Sequence, residues 1–161
     1  MKEVELKISI QEYDNVNELS NDDQVLIERA KRNVETAYSP YSHFGVGAAV
    51  LLDNGEIIDG NNQENAAYPS GLCAERVAMF YANSKYPKAK PLTIAVTAKT
   101  KGHFVANPIP PCGSCRQVLL ETESRFKSDL RIILVGENKI QVLKNVKSLL
   151  PLSFDGGFLK V

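Results

Sequence analysis

The sequence predicts an α/β fold in which helices cover both faces of a mixed sheet. Apolar runs with strand character alternate along the chain with segments whose apolar residues recur at helical spacing, and this alternation is typical of helices packed on a sheet. The segment Asp53-Asn54-Gly55 separates two apolar runs and is typical of a hairpin turn. Because a hairpin joins antiparallel strands, we expect a mixed sheet rather than a purely parallel one.

The predicted elements follow the order α-β-β-α-β-α-β-β after an additional N-terminal strand. That first strand is predicted over residues 3–10, where every second residue is apolar. The first helix is expected to begin near Ser20, a capping residue, and to end before Pro40. The remaining predictions are strands at residues 46–52, 56–59, 92–98, 130–135 and 139–143, helices at 72–84 and 112–126, and a helical turn at 146–150.

Composition indicates one domain without a charged surface for a polymer. No repeat or linker interrupts the 161 residues, so residues 1–161 are predicted to form one domain in which residues 1–20 are an N-terminal extension. Nineteen basic and nineteen acidic side chains cancel, which argues against a long nucleic acid or an anionic membrane as the partner. The chain starts without a continuous apolar stretch, so we expect no signal peptide, no membrane span and a cytoplasmic location.

All three cysteines fall within two short strings. Cys73 opens Cys-Ala-Glu-Arg, and Cys112 and Cys115 form a C-x-x-C motif. An odd, small number of cysteines disfavours a disulfide framework, whereas the C-x-x-C spacing lets two thiolates clamp one metal or form a redox pair. Both strings lie at predicted helix starts, where the helix dipole favours the thiolate. We therefore predict one Zn²⁺ held by Cys73, Cys112 and Cys115.

Three protein ligands leave one position of a tetrahedral zinc ion for water, as in catalytic sites. Neither His43 nor His103 lies at a close offset from a cysteine, so neither is expected to close that position. Glu75 follows Cys73 within one helical turn, and its carboxylate is expected to carry the water proton. Arg76 is expected to donate hydrogen bonds to the sulfurs and to offset their charge. The alternatives are a first-turn glutamate that favours the helix dipole and a solvated arginine.

The cysteine strings also match a known signature. Zinc-dependent deaminases carry H-x-E followed by P-C-x-x-C, and here Cys73 stands in place of the histidine. Over about residues 37–155 the chain resembles the small, three-cysteine cytidine deaminases in particular. The further strings that carry this resemblance are AYSPYSHF at 37–44, VGAA at 46–49, NQENA at 62–66, YP at 68–69, and LLP with SF at 149–154.

This resemblance implies a three-layer α/β/α sandwich around a five-stranded mixed sheet, one zinc per subunit, and a homotetramer. It implies hydrolytic deamination of cytidine and deoxycytidine to uridine and deoxyuridine in pyrimidine salvage, with Glu75 moving protons from water to N3 and to the departing amine. The residues that match the family's substrate contacts are Phe44 along the nucleoside, Asn62 and Glu64 at the ribose hydroxyls, Ala74 at the base through its backbone, and Tyr68 and Phe154 reaching in from neighbouring subunits.

Two other functions remain open from the sequence. The same zinc module deaminates other aminated nucleosides, such as blasticidin-type compounds, and bases in tRNA or single-stranded DNA. The zero net charge argues against the polymers, and Asn62 with Glu64 favours a free nucleoside. A structural zinc or thiol-redox domain requires a fourth ligand or a reversible disulfide between Cys112 and Cys115. The redox version leaves Cys73 and Glu75 unexplained.

Overall fold

A computed structural model of the protein describes residues 1–159. Short 3-10 turns lie at Val16–Glu18, Tyr68–Ser70, Val146–Ser148 and Gly156–Leu159. Among the described residues, no helix is both long and apolar enough to cross a membrane. The helices and strands, in chain order, are β1 (Gln11–Tyr13), α1 (Asn21–Val34), β2 (Phe44–Leu52), β3 (Ile57–Asn61), α2 (Ala74–Lys85), β4 (Pro91–Thr100), β5 (His103–Phe104), α3 (Gly113–Phe126), β6 (Arg131–Val135) and β7 (Ile140–Leu143).

The strands form one mixed sheet in the order β1-β7-β6-β4-β2-β3, with β5 paired to β4 beside this path. Strands β4 and β6 are parallel, with Ala95 opposite Ile133, and α3 is the crossover between them. The other pairs are antiparallel. The mixed α/β fold is therefore confirmed. The five strands expected from the resemblance correspond to β2, β3, β4, β6 and β7, and the structure adds the short strands β1 and β5.

Each face of the sheet is covered by helices. On one face Ile94 and Ile132 pack with Met79 of α2 and Leu119 of α3. On the other face the residues that follow these two in β4 and β6, Ala95 and Ile133, pack against α1. Helix α1 contributes Leu26, Ile27 and Ala30. Because successive residues of a strand point to opposite faces, the apolar runs of β4 and β6 supply both cores. The result is the three-layer arrangement implied by the resemblance.

The strand predicted at residues 3–10 is absent, and this prediction is wrong. In the antiparallel register Gln11 pairs with Val142, and β7 ends one residue later at Leu143. The chain before β1 therefore runs past the end of its neighbour and has no backbone groups there to pair with. The side chains that alternate in this segment are between 46% and 74% exposed: Val4, Leu6, Ile8 and Ile10.

Two loops contain backbone hydrogen bonding that was not predicted from the sequence. Leu72 and Gln63 exchange backbone hydrogen bonds of 2.9 Å in both directions, so α2 begins at Ala74 rather than at the predicted residue 72. The predicted loop 100–111 contains a tight hairpin, in which Lys101 and Gly102 have φ of 50° and 83°. Two successive positive φ values match the strand twist.

Gly60 lets α2 lie directly on β3, and we expect Gly60→Ala to destabilise the protein. An added Cβ would stand 2.5 Å from the Ala74 carbonyl oxygen and 2.6 Å from the Ala78 nitrogen, both in the α2 backbone. Since backbone cannot rotate away, the helix must shift, at a cost of about 1–3 kcal/mol. Thermal unfolding measures the loss. Gly156→Ala, whose added Cβ meets nothing within 4 Å, is the control, and equal unfolding temperatures of the two variants would contradict the close approach.

Glu123 of α3 predicts a pH-dependent stability. Its Oε1 accepts hydrogen bonds of 2.8 Å from the backbone N–H groups of Leu130 and Val146. Burial raises the pKa of Glu123 above its ordinary 4.5, although these two donors act in the opposite direction. The folded chain therefore holds this proton more tightly, so the stabilisation is complete below the ordinary pKa and is lost as the pH rises through the raised pKa.

We expect Glu123→Gln to lack this decline, since the amide keeps an acceptor oxygen and does not ionise. Denaturant unfolding of both proteins from about pH 4 to pH 8 measures it. The difference in unfolding free energy, variant minus wild type, should grow with pH. A constant difference over this range would show that Glu123 does not titrate with a raised pKa.

Candidate functional site

The first turns of α2 and α3 bring the three cysteines together. Cys73 is the residue before the first turn of α2, Cys112 holds the same position on α3, and neither makes a side-chain cap. Cys115 lies in the first turn of α3 and is fully buried, whereas Cys112 is exposed. The sulfurs of all three lie within 4.8 Å of one another. Helix N-termini carry partial positive charge, which favours thiolates at this position.

The sulfur positions fit a tetrahedral zinc ion. The Sγ atoms of Cys73 and Cys112 are 3.7 Å apart, and two ligands at the usual Zn–S distance of about 2.3 Å stand about 3.8 Å apart in a tetrahedron. Within residues 1–159 the cluster consists of these three potential ligands. The site therefore fits one Zn²⁺ per chain, with room for one further ligand.

Cys73 and Cys115 shift each other's pKa values strongly and in opposite directions. A hydrogen bond from the Cys115 thiol is the largest cause that lowers the pKa of Cys73, to about 5, and Arg76 contributes to the same shift. The pKa of Cys115 is raised, first because of its hydrogen bond to Cys73 and then because of burial. Cys73 therefore becomes a thiolate, the form that binds zinc, more readily than Cys115.

Arg76 lies in the first turn of α2 and contacts the sulfur of Cys73. Its Nη2 donates to the Sγ of Cys73 at 3.8 Å and to the backbone oxygen of Gly71 at 3.3 Å. Its Nε is buried and has no partner among the described residues. The guanidinium therefore lies where it can offset negative charge on the Cys73 sulfur.

Glu75 is a buried carboxyl group beside the sulfurs. It lies in the first turn of α2 and is only 4% exposed. Burial is the main cause that raises its pKa, and the charge of Cys73 adds to the effect, while a hydrogen bond from Cys115 acts against it. A carboxyl group with a raised pKa exchanges protons more readily near neutral pH, which suits a general acid and base.

Cys73, Cys112 and Glu75 line a cleft with a volume of about 750 Å³, and the buried Cys115 lies behind this lining. Phe44, Asn62, Glu64 and Tyr68, which the sequence reading assigned to substrate, also line this cleft. They come from β2 and from the segment between β3 and α2. The structure therefore brings four of the six predicted substrate residues to the same cavity as two of the three predicted metal ligands.

Asn62 continues the pairing of β2 and β3 through its side chain. Its Oδ1 accepts from the Val46 N–H at 2.7 Å, and its Nδ2 donates to the Phe44 oxygen at 3.0 Å. These bonds use one hydrogen of the amide and one lone pair of the oxygen, so one donor and one acceptor position remain. These two hydrogen bonds fix the Asn62 side chain against β2.

Glu64 is held by the turn that precedes β2. Its Oε2 accepts from the backbone N–H groups of Tyr41 at 2.9 Å and of Ser42 at 3.2 Å, and its Oε1 accepts from the Ser42 hydroxyl. The Ser42 hydroxyl is the largest cause that keeps the pKa of Glu64 below its ordinary value. Tyr41 and Ser42 were not among the predicted site residues, because no spacing in the sequence relates them to Glu64.

The remaining predicted contacts occupy different places. Tyr68 is 75% exposed at the rim of the cleft of its own chain, with its ring edge-on to Tyr41 at 6.0 Å. Ala74 is fully buried at the start of α2, and its side chain belongs to the core. Phe154 lies outside the cleft, is 57% exposed, and stacks on Phe158 at 5.7 Å. Of these three, only Tyr68 is brought to the cleft within one chain.

An α/β sheet with three cysteine sulfurs and a buried glutamate at two adjacent helix starts is the arrangement of the zinc-dependent deaminases. The family profile described as the cytidine and deoxycytidylate deaminase zinc-binding region matches residues 20–127. This chain therefore belongs to the cytidine and deoxycytidylate deaminase family, and its three-cysteine cluster fits the zinc site of that family.

Relatives and solved structures agree with this assignment. The chain is 49% identical over 100 residues to a cytidine deaminase of Halalkalibacterium halodurans, covering 62% of this chain and 71% of the relative. It is 34% identical over 126 residues to a probable cytidine deaminase of Dictyostelium discoideum, covering 78% of each. A crystal structure of cytidine deaminase from Burkholderia pseudomallei superposes with a TM-score of 0.70 at 37% identity, covering 84% of this chain and all of that one.

Proposed function

We propose that this protein deaminates cytidine and deoxycytidine by hydrolysis, releasing uridine or deoxyuridine and ammonia. The observation that carries the proposal is the position of Glu75. A buried carboxyl group of raised pKa lies beside a three-sulfur zinc site, at the end of a cleft that also contains Asn62 and Glu64. Proton transfer, metal binding and sugar binding can therefore act on one small molecule.

Glu75 is proposed to move the protons of the reaction. When bound, zinc lowers the pKa of a water molecule so that hydroxide is available at neutral pH. Glu75 accepts the proton of that water, delivers it to N3 of the pyrimidine, and then moves the second proton to the departing amino group. The oxygen of the water adds to C4 first, and the C4–N bond then breaks, so ammonia leaves and a C4 carbonyl remains. Arg76 is proposed to stabilise the thiolate of Cys73 throughout.

Asn62 and Glu64 are proposed to bind one sugar hydroxyl. Glu64 offers about four acceptor positions, and three are used by Tyr41 and Ser42. A hydroxyl can accept a hydrogen bond from the Asn62 amide and donate one to the remaining position on Glu64. Because only one hydroxyl is needed for this arrangement, the site tolerates both ribose and deoxyribose.

The charges of the cleft favour a nucleoside over a nucleotide. The charged residues among those that line it are Glu64, Glu75 and Arg76, and Arg76 already contacts a cysteine sulfur. A phosphate group would meet carboxylates without a free cation, which disfavours its binding. The zero net charge of the chain argues in the same direction against nucleic acid.

The remaining roles are proposed from the resemblance. Phe44 packs along the nucleoside, Ala74 contacts the base through its backbone, and Tyr68 and Phe154 contact substrate across subunits of a homotetramer. The exposed rings of Phe80 and Tyr81 on α2 supply apolar surface for such an interface.

A light-scattering mass tests the assembly, because a fully active monomer would contradict the roles proposed for Tyr68 and Phe154 across subunits. We place the enzyme in cytoplasmic pyrimidine salvage.

A substrate panel tests the proposal. The purified chain is incubated with cytidine, deoxycytidine, deoxycytidylate, cytosine and blasticidin S, and products are separated while released ammonia is measured. We expect the two nucleosides to have the highest kcat/KM, and deoxycytidylate and cytosine to react poorly. A preference for blasticidin S would favour the other nucleoside class, and the absence of any product with zinc bound would favour a structural zinc domain.

A further inference from the structure

Ser42 lies in a turn that encloses a carboxylate. The turn precedes β2, and His43 within it has a φ of 53°, in the left-handed region that few residues other than glycine adopt. The His43 N–H donates to the Ser39 oxygen at 3.0 Å and closes the turn. Successive backbone N–H groups in such a turn form a concave anion-binding site. Here its occupant is the side chain of Glu64, 22 residues further along the chain.

The Ser42 hydroxyl completes this enclosure. It donates to Oε1 of Glu64 and accepts from the Phe44 N–H at 3.1 Å. The two backbone donors both bind Oε2, so the hydroxyl is the contact that fixes Oε1. Among the described residues 1–159, that oxygen retains the one acceptor position of the carboxylate that no donor uses. Ser42 thus connects the proposed sugar carboxylate to the backbone beside Phe44.

We propose that Ser42 is a positioning residue, which orients Oε1 of Glu64 for a sugar hydroxyl of the substrate. The inference rests on the proposed function. A free glutamate side chain populates several rotamers, and binding must select one of them. The backbone N–H groups of Tyr41 and Ser42 hold Oε2, and the Ser42 hydroxyl fixes the remaining orientation of Oε1 before the substrate arrives, so it strengthens binding of the sugar. Ser42 does not touch the pyrimidine in this role, and the rate of the chemical step is independent of it.

The experiment compares ligands with and without the 2′- and 3′-hydroxyls of the sugar. KM and kcat for cytidine, and the Ki of 2′,3′-dideoxycytidine against cytidine, are measured for the wild type, Ser42→Ala, Ser42→Thr and Ser39→Ala. Ser42 is exposed, so both substitutions fit without repacking a core, and thermal unfolding verifies the fold. Ser39→Ala is the matched control, because this serine lies in the same turn and its hydroxyl makes no hydrogen bond to Glu64 within the described residues.

For Ser42→Ala we expect KM for cytidine to rise about tenfold, the usual effect of one hydrogen bond to a charged group. Its kcat and the Ki of 2′,3′-dideoxycytidine should stay within about twofold of the wild type. Ser42→Thr restores the hydroxyl and should restore KM, and Ser39→Ala should resemble the wild type. An unchanged KM, an equal weakening of both ligands, or a loss confined to kcat would overturn the role of Ser42. A zinc-loaded wild type that leaves cytidine unchanged would overturn the proposed function instead.

Discussion

Replacing Glu75 by glutamine is expected to lower kcat for cytidine by a factor of roughly 10² to 10⁴, the usual contribution of a general acid and base. Glutamine fills the same buried space, so the fold and the position of the cysteines should persist. Its amide neither accepts the proton of water nor delivers one to N3. Because binding does not require that transfer, KM should change little. Steady-state kinetics with a zinc determination on the same sample measure both effects.

Glu121→Gln is the matched control for this variant, since Glu121 is an exposed glutamate of α3 and should tolerate the same substitution without loss. Near-normal turnover of Glu75→Gln would contradict the assignment of proton transfer to Glu75. A variant that loses zinc together with activity would show that Glu75 supports the metal site rather than the chemistry. The zinc content therefore distinguishes a loss of proton transfer, in which zinc is retained, from a loss of the metal site.

Removing one sulfur ligand is expected to weaken zinc binding strongly and to abolish turnover when free zinc is scarce. Cys112 suits this test because it is exposed, so Cys112→Ala leaves no cavity in the core. Structural zinc sites with four ligands bind with roughly 10–16 kcal/mol, or about 2.5–4 kcal/mol for each ligand. The zinc affinity should therefore fall by a factor of roughly one hundred to one thousand, and kcat/KM should fall to background when free zinc is scarce.

Ser114→Ala is the control for the loss of Cys112, because Ser114 is exposed in the same turn and is not a potential ligand. Competition with a chromophoric chelator measures the zinc affinity of each protein. Unchanged affinity in Cys112→Ala would show that the metal is held elsewhere, and unchanged turnover in the zinc-free variant would remove the metal from the reaction.

The metal site was accessible from the sequence because its chemistry is local. Cys112 and Cys115 are separated by two residues at the start of one helix, and Glu75 is tied to Cys73 in the same way. Helix starts impose a known geometry, so spacing alone places such side chains on one turn. Only the meeting of the two strings needed the tertiary structure, and the family resemblance supplied that expectation.

The contacts of Glu64 were not accessible in the same way. Ser42 and Glu64 meet because Tyr38 bridges to Gln63 beside the sheet and His43 adopts a left-handed φ. Neither feature can be predicted from residue spacing. A positive φ is uncommon for residues other than glycine, so the sequence does not indicate one at His43. The missing strand at residues 3–10 has the opposite cause. Alternation of apolar residues predicts an extended chain, but a strand also needs a neighbour, and β7 ends too early to provide one.

The most direct test of the account is zinc-dependent conversion of cytidine. The protein is purified, its zinc content is determined, and uridine formation is followed before chelation, after removal of the metal, and after addition of Zn²⁺. The account predicts one zinc per chain, loss of uridine formation in the metal-free protein, and recovery with one equivalent of Zn²⁺. Undiminished uridine formation by the metal-free protein would contradict it.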